Sequence, residues 1–320
     1  MAKRRGSDEA RRSPLTAGQL SARRAVWRRR RAQRRLTLAV VLVVAVGAVP
    51  AVALIRGSQS RRRAPVTRVS VGGSGADSPR APASASPHPD TPDLYASVDA
   101  VLGYSSYVRL GDGRRRDVAL TFDDGPGPYS GAIVRILRRL HAPATFFAIG
   151  RQVPLYRQVI AAEARDGFEV GDHTETHPFL SVLPAAVQRA QILDAARAIH
   201  AAGAPYPRLF RPPYGAFDAA TLTILRAARM LVVLWSVDTS DYTRPGVARI
   251  VYVALSGAQP GAIILMHDGG GDRSETVAAL PRIIRGLRRR GYQLVTVSQL
   301  VRDDPPPRHQ PPPQPLSGTG

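Results

Sequence analysis

The sequence contains no cysteine among its 320 residues. Disulfide bonds and thiolate chemistry are therefore excluded, and any bound metal ion has to be held by histidine and carboxylate side chains. The missing cysteines are compatible with an oxidising or a reducing compartment, so they do not decide where the protein works. Internal repeats are also absent from the sequence. The length fits one large domain or two of average size, and the hydrophobic fraction of 44% is ordinary for a globular protein.

Acidic residues are scarce in the N-terminal part of the chain. Residues 1–70 contain 18 of the 45 Lys and Arg residues but only 2 of the 24 Asp and Glu residues, so the formal net charge of +21 falls to +5 for the rest. The excess charge belongs to an Arg-rich arm, residues 1–35, which lacks hydrophobic periodicity and is predicted to be disordered. DNA binding by this arm would be sensitive to salt. A basic segment beside a membrane attracts anionic lipid more simply, so no nucleic-acid partner is expected.

Charged side chains are missing from residues 36–55, a run rich in Val, Leu and Ala. About 20 such residues cross a hydrocarbon core roughly 30 Å thick as one helix, which predicts a transmembrane signal anchor more strongly than a buried core helix. The N-terminal flank is the more basic one, so residues 1–35 are expected in the cytoplasm and the rest of the chain outside, as a single-pass membrane protein. A cleavable signal peptide with Ala51-Val52-Ala53 as its cleavage site is the alternative, and it would give a secreted protein.

Hydrophobic runs are sparse in two further segments, a Ser/Pro/Ala-rich linker at residues 56–114 and a Pro-rich tail at residues 303–320 that is predicted to be disordered.

Residues 115–302 differ, because short hydrophobic runs alternate there with stretches of helical spacing, a pattern typical of a parallel sheet. The runs are Val118–Phe122, Ala144–Ile149, Phe168–Gly171, Leu209–Arg211, Met230–Val237, Ala262–Met266 and Gln293–Val297. They predict an α/β fold, a distorted (β/α) barrel of about seven parallel strands preceded by one transmembrane helix, with an open doubly wound sheet as the alternative.

Polar residues follow five of these runs, at the strand ends where α/β folds place their sites. Asp123 and Asp124 end the first run, just before Gly125-Pro126 turns the chain. Neighbouring strand residues point to opposite faces, so one carboxylate can bind a metal ion while the other handles a proton; an ordinary acidic turn is the alternative. His173 and His177 are spaced as a metal-binding pair, which gains weight beside the two Asp residues because His-x-x-x-His alone occurs by chance on surfaces.

The other clusters offer groups that transfer protons or stabilise charge. Arg211 can hold a carboxylate, and the turn from Pro212 to Gly215 can direct backbone N–H groups at an oxyanion, although it can also be an ordinary proline turn. The fourth cluster is Asp238–Tyr242. The fifth contains His267, which is either a satisfied core residue or a proton-transfer group. We expect Asp172 and Glu175, beside the histidine pair, to be solvated loop residues.

Taken together, the five clusters resemble the ordered motifs of the polysaccharide deacetylase family, the NodB-homology domains of carbohydrate esterase family 4. The resembling segments are Thr121–Pro126, His173–Pro178, Arg211–Gly215, Asp238–Tyr242 and Leu265–His267. The resemblance implies a distorted (β/α) barrel over residues 115–302 that removes N-acetyl groups from amino sugars with a divalent metal ion, usually Zn²⁺. The fourth motif usually ends in Trp, and Tyr242 stands here, which affects the expected fit of the substrate more than catalysis.

The resemblance also implies a role for each matching residue. The metal ligands would be Asp124, His173 and His177. The general base would be Asp123, which Arg211 holds, and the backbone N–H of Tyr214 would help to form the oxyanion hole. The general acid would be His267, oriented by the carboxylate of Asp241 or, failing that, of Asp238.

We therefore expect a membrane-anchored N-deacetylase that acts outside the cytoplasm on an amino-sugar polysaccharide. Peptidoglycan is the first candidate, and chitin-like oligomers or an exopolysaccharide are the others. An O-acetyl esterase acting on xylan is a close alternative, since it uses the same water and metal ion. A non-catalytic glycan-binding protein on the same fold is a different class of alternative, although every catalytic position is filled.

Overall fold

The computed structural model describes residues 91–310. The predicted basic arm at 1–35 and membrane segment at 36–55 lie outside the described residues, as do most of the linker and the end of the tail. Within residues 91–310, no helix combines the length and hydropathy that a membrane crossing requires.

Strands and helices alternate along the described chain. The strands are β1 (Tyr107–Val108), β2 (Asp117–Gly125), β3 (Thr145–Ala148), β4 (Glu169–Asp172), β5 (Leu209–Phe210), β6 (Leu231–Val233), β7 (Val237–Asp238), β8 (Ala262–His267) and β9 (Gln293–Val295). The helices are α1 (Thr91–Leu102), α2 (Ser130–Arg139), α3 (Arg157–Arg165), α4 (Ala185–Ala201), α5 (Ala219–Ala227), α6 (Val247–Gly257), α7 (Ser274–Arg289) and α8 (Val297–Asp303).

All named strands pair in parallel, in the order β1-β6-β5-β4-β3-β2-β8-β7, and β9 pairs with the first residues of β2. Strands β2 to β6 follow one another in sequence order, and β8 returns to the other side of β2. A doubly wound sheet would instead reverse its order at a switch point. The sheet is therefore a curled, open (β/α) barrel, and the predicted parallel α/β barrel is confirmed.

Residues of β2 alternate between two hydrophobic cores. Leu120 and Phe122 pack outward with buried residues of helices α2, α6 and α7. Ala119 packs inward with Ile263 of β8 and with buried residues of α1 and α8. Because successive strand residues point to opposite faces, Asp123 shares the inward face with Ala119. Its register partners are Phe147 of β3 and His267 of β8, so two of the motif residues meet on neighbouring strands.

Residues 91–310 form nine strands, where the sequence predicted about seven. One extra strand, β1, lies in the segment predicted as linker. The other arises because the run Met230–Val237 is divided into β6 and β7. Between these strands the carbonyl of Leu234 accepts a hydrogen bond from a buried arginine, Arg211, so the chain leaves the sheet there to satisfy an internal polar group.

The fold also extends beyond both predicted boundaries of the domain. Helix α1 lies within residues 56–114 and contributes buried Val98 and Val101 to the inner core. At the other end, Tyr104 donates a hydrogen bond to the carbonyl of Pro306 (2.8 Å), within the segment predicted as a disordered tail. Both extensions cover the inner core, which residues 115–302 alone would leave partly exposed.

Candidate active site

A β-bulge at the end of β2 brings Asp123 and Asp124 to one site. The register of β2 against β3 shifts between Asp123 and Gly125, and Asp124 adopts a left-handed backbone with φ of 70°. The next peptide bond, between Gly125 and Pro126, is cis. As a result both carboxylates approach the same imidazole: Nε2 of His173 lies 3.8 Å from Asp123 Oδ2 and 3.5 Å from Asp124 Oδ1. The expectation that the two carboxylates point to opposite faces is wrong here, because the bulge interrupts the alternation.

The loop after β4 carries the two histidines. One ligand atom each from Asp124, His173 and His177 lies within 4.8 Å of the others. Nδ1 of His173 is 2.6 Å from the carbonyl oxygen of Arg211 and donates its proton there, which leaves the Nε2 lone pair directed towards Asp124. His177 has a φ of 61°, and its backbone N–H donates to Thr174 Oγ1 (3.0 Å). This turn places Nε2 of His177 3.2 Å from Asp124 Oδ1.

These three side chains fit a divalent cation. Oδ1 of Asp124 is buried and makes no hydrogen bond, although two imidazole nitrogens lie beside it. Burial alone would raise the pKa of Asp124, but the nearby histidines lower it below its usual range, so the carboxylate is ionised. Burial, helped by the charge of His173, lowers the pKa of His177 to about 4, so this imidazole is neutral at pH 7. Two imidazole nitrogens and one carboxylate oxygen are the donor set of open zinc sites.

Arg211 is fully buried and holds Asp123 in place. Its Nη1 donates to Asp123 Oδ1 (2.7 Å) and to Thr121 Oγ1 (2.8 Å). Its remaining donors, Nε and Nη2, bond the carbonyl oxygens of Val233 (3.1 Å) and Leu234 (3.3 Å). The guanidinium therefore has partners on all its nitrogens, which a buried cation requires. Asp123 itself is only 3% exposed and obtains its counter-charge from Arg211.

His267 forms a pair with Asp241 on the opposite side of Asp123. Nδ1 of His267 donates to Asp241 Oδ1 (2.7 Å), and its backbone N–H donates to Asp241 Oδ2 (2.9 Å). Burial lowers the pKa of His267, but the hydrogen bond and charge of Asp241 outweigh it and raise the pKa to about 9. Of the two carboxylates that the sequence left open, Asp241 makes this contact. Asp238 instead accepts the backbone N–H of Ser240 (2.7 Å).

Two tyrosine rings stand beside the site. Tyr214 has a left-handed backbone (φ 60°), and its ring packs edge-on against His177 with 4.7 Å between centroids. Tyr242 packs edge-on against His267 at 5.3 Å. The side chains with an expected role in the chemistry therefore meet at the carboxyl ends of the strands, and they are Asp123, Asp124, His173, His177, Arg211, Tyr214, Asp241 and His267.

Two carboxyl groups that adjoin site residues in the sequence, Asp172 and Asp268, are buried. Asp172 was expected to be solvated, but it is the last residue of β4, is 0% exposed, and accepts the backbone N–H of Thr174 (2.7 Å). Asp268 is buried and accepts a hydrogen bond from Ser130, and burial raises its pKa to about 7. The absence of a side chain at Gly125 leaves room for this carboxyl group, because a Cβ there would collide with it.

Both the sequence and the fold are similar to those of known proteins. The polysaccharide deacetylase family profile matches residues 111–233. A peptidoglycan-N-acetylglucosamine deacetylase of Bacillus cereus is 40% identical over 188 residues, covering 58% of this chain and 88% of that protein. A chitooligosaccharide deacetylase of Bradyrhizobium sp. is 41% identical over 198 residues, covering 58% and 90%. The crystal structure of the Bc1960 peptidoglycan N-acetylglucosamine deacetylase superposes with a TM-score of 0.60 at 30% identity, covering 63% of this chain and 95% of that one.

Proposed function

The chain belongs to the polysaccharide deacetylase family, and we propose that it is a metal-dependent hydrolase that removes N-acetyl groups from the amino sugars of peptidoglycan. One observation carries the proposal. Ligand atoms of Asp124, His173 and His177 lie within 4.8 Å of one another, with the Arg211-bound carboxylate of Asp123 at the same place. This constellation suits hydrolysis of an amide, which needs a polarised carbonyl, an activated water and a protonated leaving amine.

Asp124, His173 and His177 would hold the divalent ion, and the donor set favours Zn²⁺. When bound, such an ion polarises the substrate carbonyl and makes a water more acidic. The protein contributes the orientation of its ligands. His173 is held in one tautomer by the carbonyl of Arg211, so its Nε2 is available as a ligand.

Asp123 is the general base in this proposal and accepts the proton of the attacking water. Its hydrogen bond with the buried guanidinium of Arg211 limits its rotation and keeps it beside the metal ligands. The backbone N–H of Tyr214, in the turn after β5, would stabilise the negative charge that develops on the carbonyl oxygen.

His267 is the general acid that protonates the departing amine. An amine leaves poorly unless it receives a proton, and an imidazole with a pKa of about 9 is protonated at neutral pH. Asp241 orients the ring through Nδ1, so Nε2 is the nitrogen that gives the proton.

We further propose that the enzyme works outside the cytoplasm, anchored through residues 36–55. The support is the uncharged run itself, with a more basic flank before it than after it. Peptidoglycan is then the nearest amino-sugar polymer for an anchored bacterial enzyme.

Acetate release tests the reaction and its substrate. The full chain in detergent is incubated with purified peptidoglycan, with chitin oligomers and with acetylated xylan, each with and without a chelator. We expect chelator-sensitive release from peptidoglycan. Release from chitin oligomers alone would move the substrate to that class, for which the Bradyrhizobium relative is named. Release from the xylan ester alone would reject N-deacetylation.

A further inference from the structure

An exposed pair of aromatic rings extends from the metal-ligand cluster. The rings of Phe179 and Tyr214 stack with 5.2 Å between centroids and 20° between planes. Their side chains are 48% and 51% exposed, respectively. Phe179 stands out among the seven phenylalanines of the chain, because the other six are buried or partly buried. Apolar surface of this kind beside a reaction centre marks a place where another molecule binds.

The pair is rigidly connected to the reaction centre. Tyr214 contacts His177 edge-on, at 4.7 Å between centroids, and so joins the stack to a metal ligand. Phe179 is separated from His177 by a single residue, Pro178, whose ring fixes its own φ. The distance from the reacting acetyl group to the stack is therefore set by the backbone, which is what a subsite for a polymer requires.

We propose that Phe179, together with the ring of Tyr214, forms a subsite for the sugar unit adjacent to the one that loses its acetyl group. A pyranose ring presents a flat C–H face, and an aromatic face is the surface that such a ring covers with least loss of hydrogen bonds to water. This assignment rests on the proposed function, since it is the acetyl-bearing unit at the metal site that places its neighbour over Phe179.

The subsite lies on one side of the reaction centre only. On the other side Tyr242 packs against His267, and it is 44% exposed. Within residues 91–310 no second ring stacks on Tyr242, whereas Phe179 extends the ring of Tyr214. The enzyme should therefore gain affinity from one neighbouring sugar, on the side of the histidine ligands, and little from a neighbour on the other side.

The test compares oligomers of N-acetylglucosamine of one to five units. With the wild-type chain we expect kcat/KM to rise as a second unit is added on the favoured side. In Phe179→Ala this rise should disappear, with KM for the trimer increased about tenfold, while kcat at saturation and activity on the single sugar stay close to wild type. Tyr252→Ala is the matched control, because Tyr252 is 62% exposed on α6 and its ring packs with Arg249 of the same helix. It should leave the length dependence unchanged.

Two further variants separate ring stacking from general apolar contact. Phe179→Trp should restore the preference for longer oligomers, and Phe179→Leu should not. Equal loss at every oligomer length in Phe179→Ala, or an unchanged length dependence, would overturn the subsite.

Ligand-observed NMR with the N-acetylglucosamine trimer gives a readout that does not depend on turnover. Weaker binding of the trimer by Phe179→Ala than by Tyr252→Ala supports the subsite, and equal binding overturns it. If the wild-type chain releases no acetate from any oligomer but this difference in binding persists, the proposed reaction fails on these substrates and the subsite stands.

Discussion

Replacing Asp241 by asparagine should remove the protonated form of His267 from the working pH range. In the native chain one carboxylate oxygen accepts the Nδ1 proton at 2.7 Å and the other accepts the backbone N–H at 2.9 Å. Burial works against the charged imidazole, so its raised pKa depends on this carboxylate. An amide in the same position can still accept a hydrogen bond, but it supplies no charge.

The size of the effect follows from the pKa of His267. Asp241 and the neighbouring carboxylates raise it from 6.5 to about 9, which is worth about 3 kcal/mol in favour of the charged form. At pH 8 an imidazole with a pKa of about 9 is roughly nine-tenths protonated, whereas one with a pKa of about 6.5 is only about 3% protonated. Activity at pH 8 should therefore fall by about 30-fold, because Asp241 supplies the hydrogen bond and the largest of the charges that raise this pKa against the effect of burial.

The role of His267 as general acid fixes the direction in which activity changes with pH. A general acid is active in its protonated form, so kcat/KM falls as the pH rises through the pKa of His267. Profiles of kcat/KM from pH 5 to 10, at equal metal loading, should show the alkaline limb of Asp241→Asn displaced to lower pH relative to wild type. NMR titration of the His267 ring in metal-free protein measures the same shift directly.

Asp238→Asn is the control for this experiment, because the carboxylate of Asp238 bonds Ser240 and not His267. Its alkaline limb should stay near that of the wild type. If Asp241→Asn retains the wild-type alkaline limb and the wild-type ring titration, His267 is not held protonated by Asp241 and the assigned acid is wrong.

Four other predictions concern the base, the ligands and the backbone around them. Asp123→Asn should lower kcat by about 10²–10⁴ while metal content, measured by elemental analysis, is unchanged; normal turnover would reject the general base. His177→Ala should weaken Zn²⁺ binding in calorimetry, and chelation of the wild-type enzyme should abolish activity until Zn²⁺ is returned. Arg211→Lys cannot bond Asp123, Thr121 and the carbonyl oxygens of Val233 and Leu234 at the same time, so it should cost about 3–5 kcal/mol of stability in urea denaturation. Gly269→Ala places a Cβ 2.0 Å from the carbonyl oxygen of Asp124, so it should lower both the melting temperature and the affinity for Zn²⁺.

The arrangement of the barrel could be predicted because it depends on local patterns. Each hydrophobic run contains at least one parallel strand, and each polar cluster lies at the carboxyl end of a strand, since that is where the connecting loops of an α/β fold begin. The register then explains why distant motifs meet: Asp123 is the Cα partner of His267 although 144 residues separate them in the numbering.

The features that the sequence did not predict depend on contacts between distant parts of the chain. The bulge at Asp124 is a mismatch between two strands and has no signature within β2 alone. The break between β6 and β7 depends on the buried guanidinium of Arg211, which bonds carbonyl oxygens at that point. Helix α1 was missed because its flanking residues are rich in Ser and Pro, so composition obscured the apolar face that packs into the inner core.

Arg211 contacts both the proposed general base and a proposed metal ligand, the first through its side chain and the second through its backbone. Its guanidinium bonds Asp123, while its carbonyl oxygen accepts the Nδ1 proton of His173, and its backbone N–H bonds the carbonyl of Asp172 at the end of β4. One residue, Arg211, thus positions both the general base Asp123 and the metal ligand His173, which limits changes in the distance between them. Substitution at this position removes only the guanidinium, because the backbone contacts do not depend on the side chain. The metal ligand should therefore keep its tautomer in Arg211→Lys, so that a loss of turnover with retained Zn²⁺ binding would assign the guanidinium to the base alone.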